Sequence, residues 1–147
     1  MRTSSPSEPT FIERTLKAHQ VFRIKAGETN KFVLLANPQQ ESVPFVQVIE
    51  IFDVGGSTPP NVHRAATELF VVLAGTGLAQ TDAGEVLLQP GSTLLMYPGC
   101  THAVRNTGPG RLYCLTTMAP DEGFSKLICD GVADALDAQD LQVLGWA

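Results

Sequence analysis

Several things are scarce in this chain of 147 residues, and each scarcity excludes something. No apolar stretch approaches the roughly 20 consecutive residues that cross a bilayer, so a membrane is not expected as a partner. Lys and Arg number 10 against 15 Asp and Glu, for a net charge of −5, and no basic stripe appears. Phosphate binding wants clustered cations, so nucleic acid is not expected either. Cys100, Cys114 and Cys129 are odd in number and lack the paired spacing of a zinc or redox motif, which reads as three reduced thiols. The opening run Met1 to Pro9 is polar and rich in Ser and Pro, without the apolar core of a secretory signal. Residues 1–15 are therefore expected to be a mobile tail, and the cytoplasm is the expected location.

What is present suits one compact domain. The chain is 44% hydrophobic and 17% charged. A chain of about 150 residues buries roughly 68–70% of its unfolded surface, enough for one core without staples. No internal repeat or low-complexity segment is evident.

Short runs rich in β-branched and aromatic residues, separated by Gly, Pro and Asn, predict strands along most of the chain. Val21 to Lys25, Lys31 to Ala36, Phe45 to Phe52, Glu68 to Leu73, Ser92 to Tyr97, His102 to Asn106 and Arg111 to Met118 all read this way. Thr76 to Thr81 and Glu85 to Leu88 are expected to pair through Asp82-Ala83-Gly84. After Pro120 the pattern changes. Phe124, Leu127, Ile128 and Val132 are spaced for one helical face ending near Gly131, and Asp137 opens a second short helix with Gly145 beyond it. These helices would cover a sheet face, or alternatively form a lid or dimer contact.

Only three histidines occur, and two of them, His63 and His102, fall in patterned runs with Glu68. Two imidazoles and a carboxylate suit a divalent transition metal with open coordination positions. Side chains two apart on a strand share a face, so Asn61 faces with His63, Glu68 with Phe70 and Val72, and His102 with Val104 and Asn106. His19 lies outside both runs and reads as a surface residue. Arg64 and Arg105 each adjoin an inward position and should point away. Cys100 lies on the turn before His102, where facing solvent is the simpler expectation.

Gly55, Asn61, His63, Glu68 and Gly75 keep the spacing G-x5-H-x-H-x4-E-x6-G, with Asn61 where the first His belongs. Gly91, Tyr97, Gly99, His102 and Asn106 keep G-x5-P-x-G-x2-H-x3-N, with Tyr97 in place of Pro. In these residues the chain resembles the cupin superfamily. The resemblance is strong over roughly Phe45 to Met118. It implies an all-β, double-stranded β-helix (jelly-roll) barrel over residues 16–119, with residues 120–147 as a helical segment packed on it. It also implies a metal in the barrel mouth: His63, Glu68 and His102, with Asn61 as a weaker fourth donor, would hold one ion of Fe, Mn, Ni, Co or Zn.

Glu68 is the candidate catalytic residue, as ligand or as base. Phe70, Val72, Tyr97, Val104 and Asn106 are expected to wall the pocket. Two functions follow from the resemblance. The first is a metal-dependent enzyme acting on a small oxygen-bearing substrate, dioxygenase-, decarboxylase- or isomerase-like. The second is a non-catalytic small-molecule binder or sensor in which the missing first His has degraded the metal site, leaving His63, Glu68 and His102 as a polar pocket. By analogy the protein is expected to be a homodimer.

Overall fold

The computed structural model describes residues 9–147; the first eight residues of the expected tail lie outside the described part. A 3₁₀ turn at Leu16–Ala18 leads into ten strands: β1 (Val21–Arg23), β2 (Asn30–Ala36), β3 (Val46–Phe52), β4 (Thr67–Ala74), β5 (Gly77–Thr81), β6 (Gly84–Leu88), β7 (Thr93–Met96), β8 (His102–Asn106), β9 (Leu112–Ala119) and β10 (Val132–Asp134). Two short helices, α1 (Phe124–Cys129) and α2 (Ala138–Leu144), belong to the C-terminal segment. Seven strands form an antiparallel sheet in the order β10-β1-β2-β3-β9-β4-β7, and three form a second in the order β6-β5-β8. The two inner faces close on each other as a jelly-roll barrel. Among the described residues no helix is long and apolar enough to cross a membrane.

Alternation along the strands sorts side chains into separate clusters. On β4, Glu68, Phe70 and Val72 turn inward and are buried. Phe52, Phe70, Val72, Leu88, Met96, Val104, Leu112 and Cys114 fill the barrel centre. A small barrel is packed with side chains in this way, and only its mouth stays open. Phe32, Val48, Met118 and Ile128 form a second cluster, with Phe124 of α1 packed against them. On the outer face of the large sheet, Val33, Ile49, Ile51 and Tyr113 are covered by Leu136, Leu144 and Trp146. That is why β3 reads as a nearly continuous apolar run: both of its faces are covered.

The cover is fastened by charge as well as by apolar contact. Asp140 of α2 is fully buried and forms an ion pair with buried Lys31 of β2. The same carboxylate accepts from Tyr113 Oη at 2.8 Å and from Arg111 at 2.9 Å. Asp137 caps α2: its carboxylate accepts from the Asp140 N–H, and the Asp140 carboxylate accepts from the Asp137 N–H in return.

Two expectations are corrected here. Val132 belongs to β10, which pairs with β1, and not to the face of α1. The helix ends at Cys129, and Gly131 beyond it lies so close to the backbone of Arg23 that any Cβ would collide with its carbonyl oxygen. His19, read as a surface residue, is half-buried and stacks on Trp146 with ring centroids 5.7 Å apart.

Candidate functional site

His63 stands on the loop after Pro59-Pro60, Glu68 on β4 and His102 at the start of β8 in the opposite sheet. Closure of the barrel brings them together. Glu68 Oε2 lies 2.7 Å from His63 Nε2 and 3.1 Å from His102 Nε2. One donor atom from each residue falls within 4.8 Å of the others. The two rings are 5.2 Å apart.

The hydrogen-bond pattern around His102 favours a cation between these groups. His102 Nδ1 is 3.0 Å from the carbonyl oxygen of Cys100, which can only accept, so Nδ1 carries a proton. In the neutral imidazole Nε2 would then turn a lone pair toward the carboxylate oxygen of Glu68, an unfavourable meeting of two acceptors. Either a second proton or a metal ion must resolve it. Burial works against a charge on His102. Hydrogen bonds to Glu68 and to the Cys100 carbonyl, with the charges of Glu68 and Glu50, outweigh it and raise the pKa above its ordinary value. The donor set and its geometry therefore fit a divalent transition metal, which would take the place of the second proton.

Asn61 approaches through its backbone. Its N–H and C=O exchange hydrogen bonds with His102 at 2.8 and 2.9 Å, which holds the loop of His63 against β8. The Asn61 side chain is exposed at the cavity mouth and makes no hydrogen bond among the described residues.

The cluster opens into a cavity of about 420 Å³, within the range of small-molecule sites. Its apolar walls include Phe32, Phe70, Met118, Phe124 and Leu127, and its polar groups include Asn30, Glu50, Glu68, His63 and His102. Of the residues expected to wall the pocket, only Phe70 does so. Val72 and Val104 share the predicted inward face but sit deeper, in the packed centre. Asn106 is also inward and buried, yet its amide is spent on the chain itself. Nδ2 donates to the carbonyls of Phe52, Asp53 and Gly110, and Oδ1 accepts from the Gly108 N–H. Tyr97 is 68% exposed and outside the cavity, because Met96 beside it takes the inward position opposite Glu68. Arg64 and Arg105 are exposed, as expected.

Three contributors were not anticipated. Glu50 lies on the inner face of β3 and lines the cavity; the alternation Val46, Val48, Glu50, Phe52 carries the signal, a carboxylate on an otherwise apolar face. Burial foremost, and then the charge of Glu68, push its pKa up to about 8, against the opposing effects of the Asn30 hydrogen bond and His102. Cys100 contributes a carbonyl rather than its thiol, which lies half-buried against the barrel core. Glu122, just before α1, accepts from the N–H groups of Arg64, Ala65 and Ala66. It thereby fastens the C-terminal segment over the loop of His63, with its carboxylate 3.8 Å from His63 Nδ1. No local pattern announces that contact.

Residues 48–118 match the family model described as a cupin domain. No curated protein matches the sequence. Among solved structures, the chain is similar to a predicted oxalate decarboxylase from Thermotoga maritima, with TM-score 0.64 and 17% identity over 75% of this chain and 99% of that one. It is similar to a cupin domain from Schizosaccharomyces pombe, with TM-score 0.61 and 17% identity over 80% and 81% of the two chains. A sugar phosphate isomerase of the cupin superfamily from Silicibacter pomeroyi aligns with TM-score 0.63 and 15% identity over 74% and 75%. At such identities the likeness is one of fold.

Proposed function

The chain belongs to the cupin superfamily, and on that footing we propose that it is a metal-dependent enzyme acting on a small oxygen-bearing substrate. The observation that carries this reading is the meeting of His63, Glu68 and His102 donor atoms within 4.8 Å at the wall of a cavity. One divalent ion of Fe, Mn, Ni, Co or Zn held there would supply Lewis acidity or, as Fe(II), dioxygen chemistry. The residues do the rest. The Cys100 carbonyl keeps the His102 proton on Nδ1 and so aims Nε2 at the site. Glu68 would help hold the ion, or accept a proton from the substrate. Phe32, Phe70, Met118 and Phe124 exclude water from the bound molecule.

The neighbours' names cover a decarboxylase and an isomerase, so the shared fold does not choose a reaction. In this reading the protein is a cytoplasmic homodimer. The exposed Leu73 and Leu95, on β4 and the edge strand β7, are the feature that supports pairing.

Asn61 favours a second reading, a small-molecule binder or sensor without turnover. An amide oxygen is a poorer ligand than imidazole for these metals. Reconstitution separates the two. Untagged protein dialysed against Fe(II), Mn(II), Ni(II), Co(II) or Zn(II) should retain about one ion per chain. His102→Ala should abolish retention and Asn61→His should tighten it. Unchanged metal content in His102→Ala refutes the proposed centre, and ligand affinity that survives loss of either His63 or His102 supports the binder.

A further inference from the structure

Glu50 is 3% exposed, and its carboxyl is only half satisfied by the protein. Asn30 Nδ2 donates to Oε1 at 3.0 Å, while Asn30 Oδ1 is itself held by the Thr29 hydroxyl at 2.9 Å. Oε2 has no protein partner among the described residues. A buried carboxylate with a single hydrogen bond is costly, and holding a proton is the cheaper state. Burial, the larger cause of its pKa of about 8, remains when an ion neutralises Glu68. Because Oε1 is the acceptor for Asn30, the proton belongs on Oε2, as an O–H donor without an acceptor.

A second polar atom nearby is also without a partner. Thr116 Oγ1 is buried and makes no hydrogen bond. It lies on the inner face of β9, diagonal to Glu50 and directly across from Phe70. Thr116 does not itself line the cavity, but Glu50 does, and a half-satisfied carboxyl in the wall of a cavity of small-molecule size points to a ligand that completes it.

We propose that Glu50, pinned by Asn30, is a second recognition point of the cavity: it donates a hydrogen bond to an acceptor oxygen of a molecule whose other oxygen function lies at His63, Glu68 and His102. The ligand class that satisfies both points is a small carboxylic acid bearing a second carbonyl or carboxylate oxygen. A monofunctional acid of the same length leaves the Glu50 donor orphaned, and so binds more weakly. This inference rests on the metal reading of the cluster.

The test uses the Zn(II)-loaded full chain, which is redox-inert, after its zinc content has been measured. Succinate and glutarate are titrated calorimetrically at pH 6 against butanoate and pentanoate, their chain-length matches. At least one dicarboxylate should bind tenfold or more tighter than its partner. Glu50→Leu should cut that preference below threefold while leaving zinc content unchanged. Glu50→Gln keeps an N–H donor and does not titrate. Its preference should persist at pH 9, where that of the wild type declines. The titratable groups near Glu50, namely Cys114 on β9, Glu68 on β4, His102 on β8, His63, and Lys25, Glu28 and Glu122 at the mouth, are common to both proteins.

Zinc-loaded protein that does not discriminate, or a preference unchanged in Glu50→Leu, overturns the role of Glu50 and leaves the metal centre standing. Parallel pH responses of wild type and Glu50→Gln overturn it even where the Leu variant does not fold. A chain that retains no zinc overturns the metal reading and this inference together.

Discussion

Replacing Glu50 with Gln should change how the stability of the metal-stripped protein depends on pH. The carboxyl is wholly buried and its pKa rises from an ordinary value of 4.5 to about 8. Between those values the folded chain keeps a proton that the unfolded chain has released. The folded state then binds more protons, so stability falls as pH rises, and the curve flattens once pH exceeds 8 and both states are ionised. At about 1.4 kcal/mol per pH unit, the interval from pH 5 to pH 8 corresponds to roughly 4 kcal/mol. Gln keeps the oxygen that accepts from Asn30 and has nothing to titrate. Urea unfolding at pH 5, 6, 7 and 8 reads the effect as a difference of differences. With a urea slope near 2 kcal/mol per molar, the midpoint of the wild type should fall by about 2 M relative to the variant across that interval. Parallel curves for the two proteins would refute the argument that Glu50 is held neutral by burial.

Three further outcomes follow from other parts of the molecule. Asp140→Ala strands the buried Lys31 ammonium, and should cost about 3–5 kcal/mol, roughly 10 °C in Tm by calorimetry. Asn106→Ala releases the Phe52, Asp53 and Gly110 carbonyls and should cost about 2–3 kcal/mol in urea melts; metal content, checked by elemental analysis, should stay unchanged because the residue is a clamp and not part of the cavity. Asp137→Ala removes the cap of α2 and should cost about 1 kcal/mol at pH 7. The Asp140 N–H and the Arg111 guanidinium hold the Asp137 pKa down to about 2, so its contribution is present above pH 4 and lost as pH falls toward 2. Melts at pH 5 and pH 3 should show the gap between wild type and variant narrowing.

The barrel strands and the meeting of the two motif runs were legible because both rest on alternation, a local property. Glu68 and His102 stand on opposite sheets, yet each occupies an inward position readable from its own neighbours. Errors arose where inward did not mean accessible. Val72, Val104 and Asn106 all point into the barrel, but depth along a strand depends on how the two sheets close, and that is a long-range outcome. Tyr97 failed differently, since Met96 and not Tyr97 carries the inward phase of β7. Strand β10 is only three residues long and exposed throughout, so it leaves no periodic trace, and its pairing with β1 spans more than a hundred residues of sequence. The anchoring of Glu122 on residues 64–66 is equally non-local. Glu50 was readable, as the one charged residue in the apolar phase Val46, Val48, Glu50, Phe52.

Anomalous diffraction from a crystal of metal-reconstituted protein, recorded on either side of the metal's absorption edge, reads the metal centre itself. One strong peak per chain is expected at about 2.0–2.2 Å from His63 Nε2, His102 Nε2 and Glu68 Oε2. A peak at any other site, or none from protein shown to be loaded, would mean that these three residues do not form the metal centre.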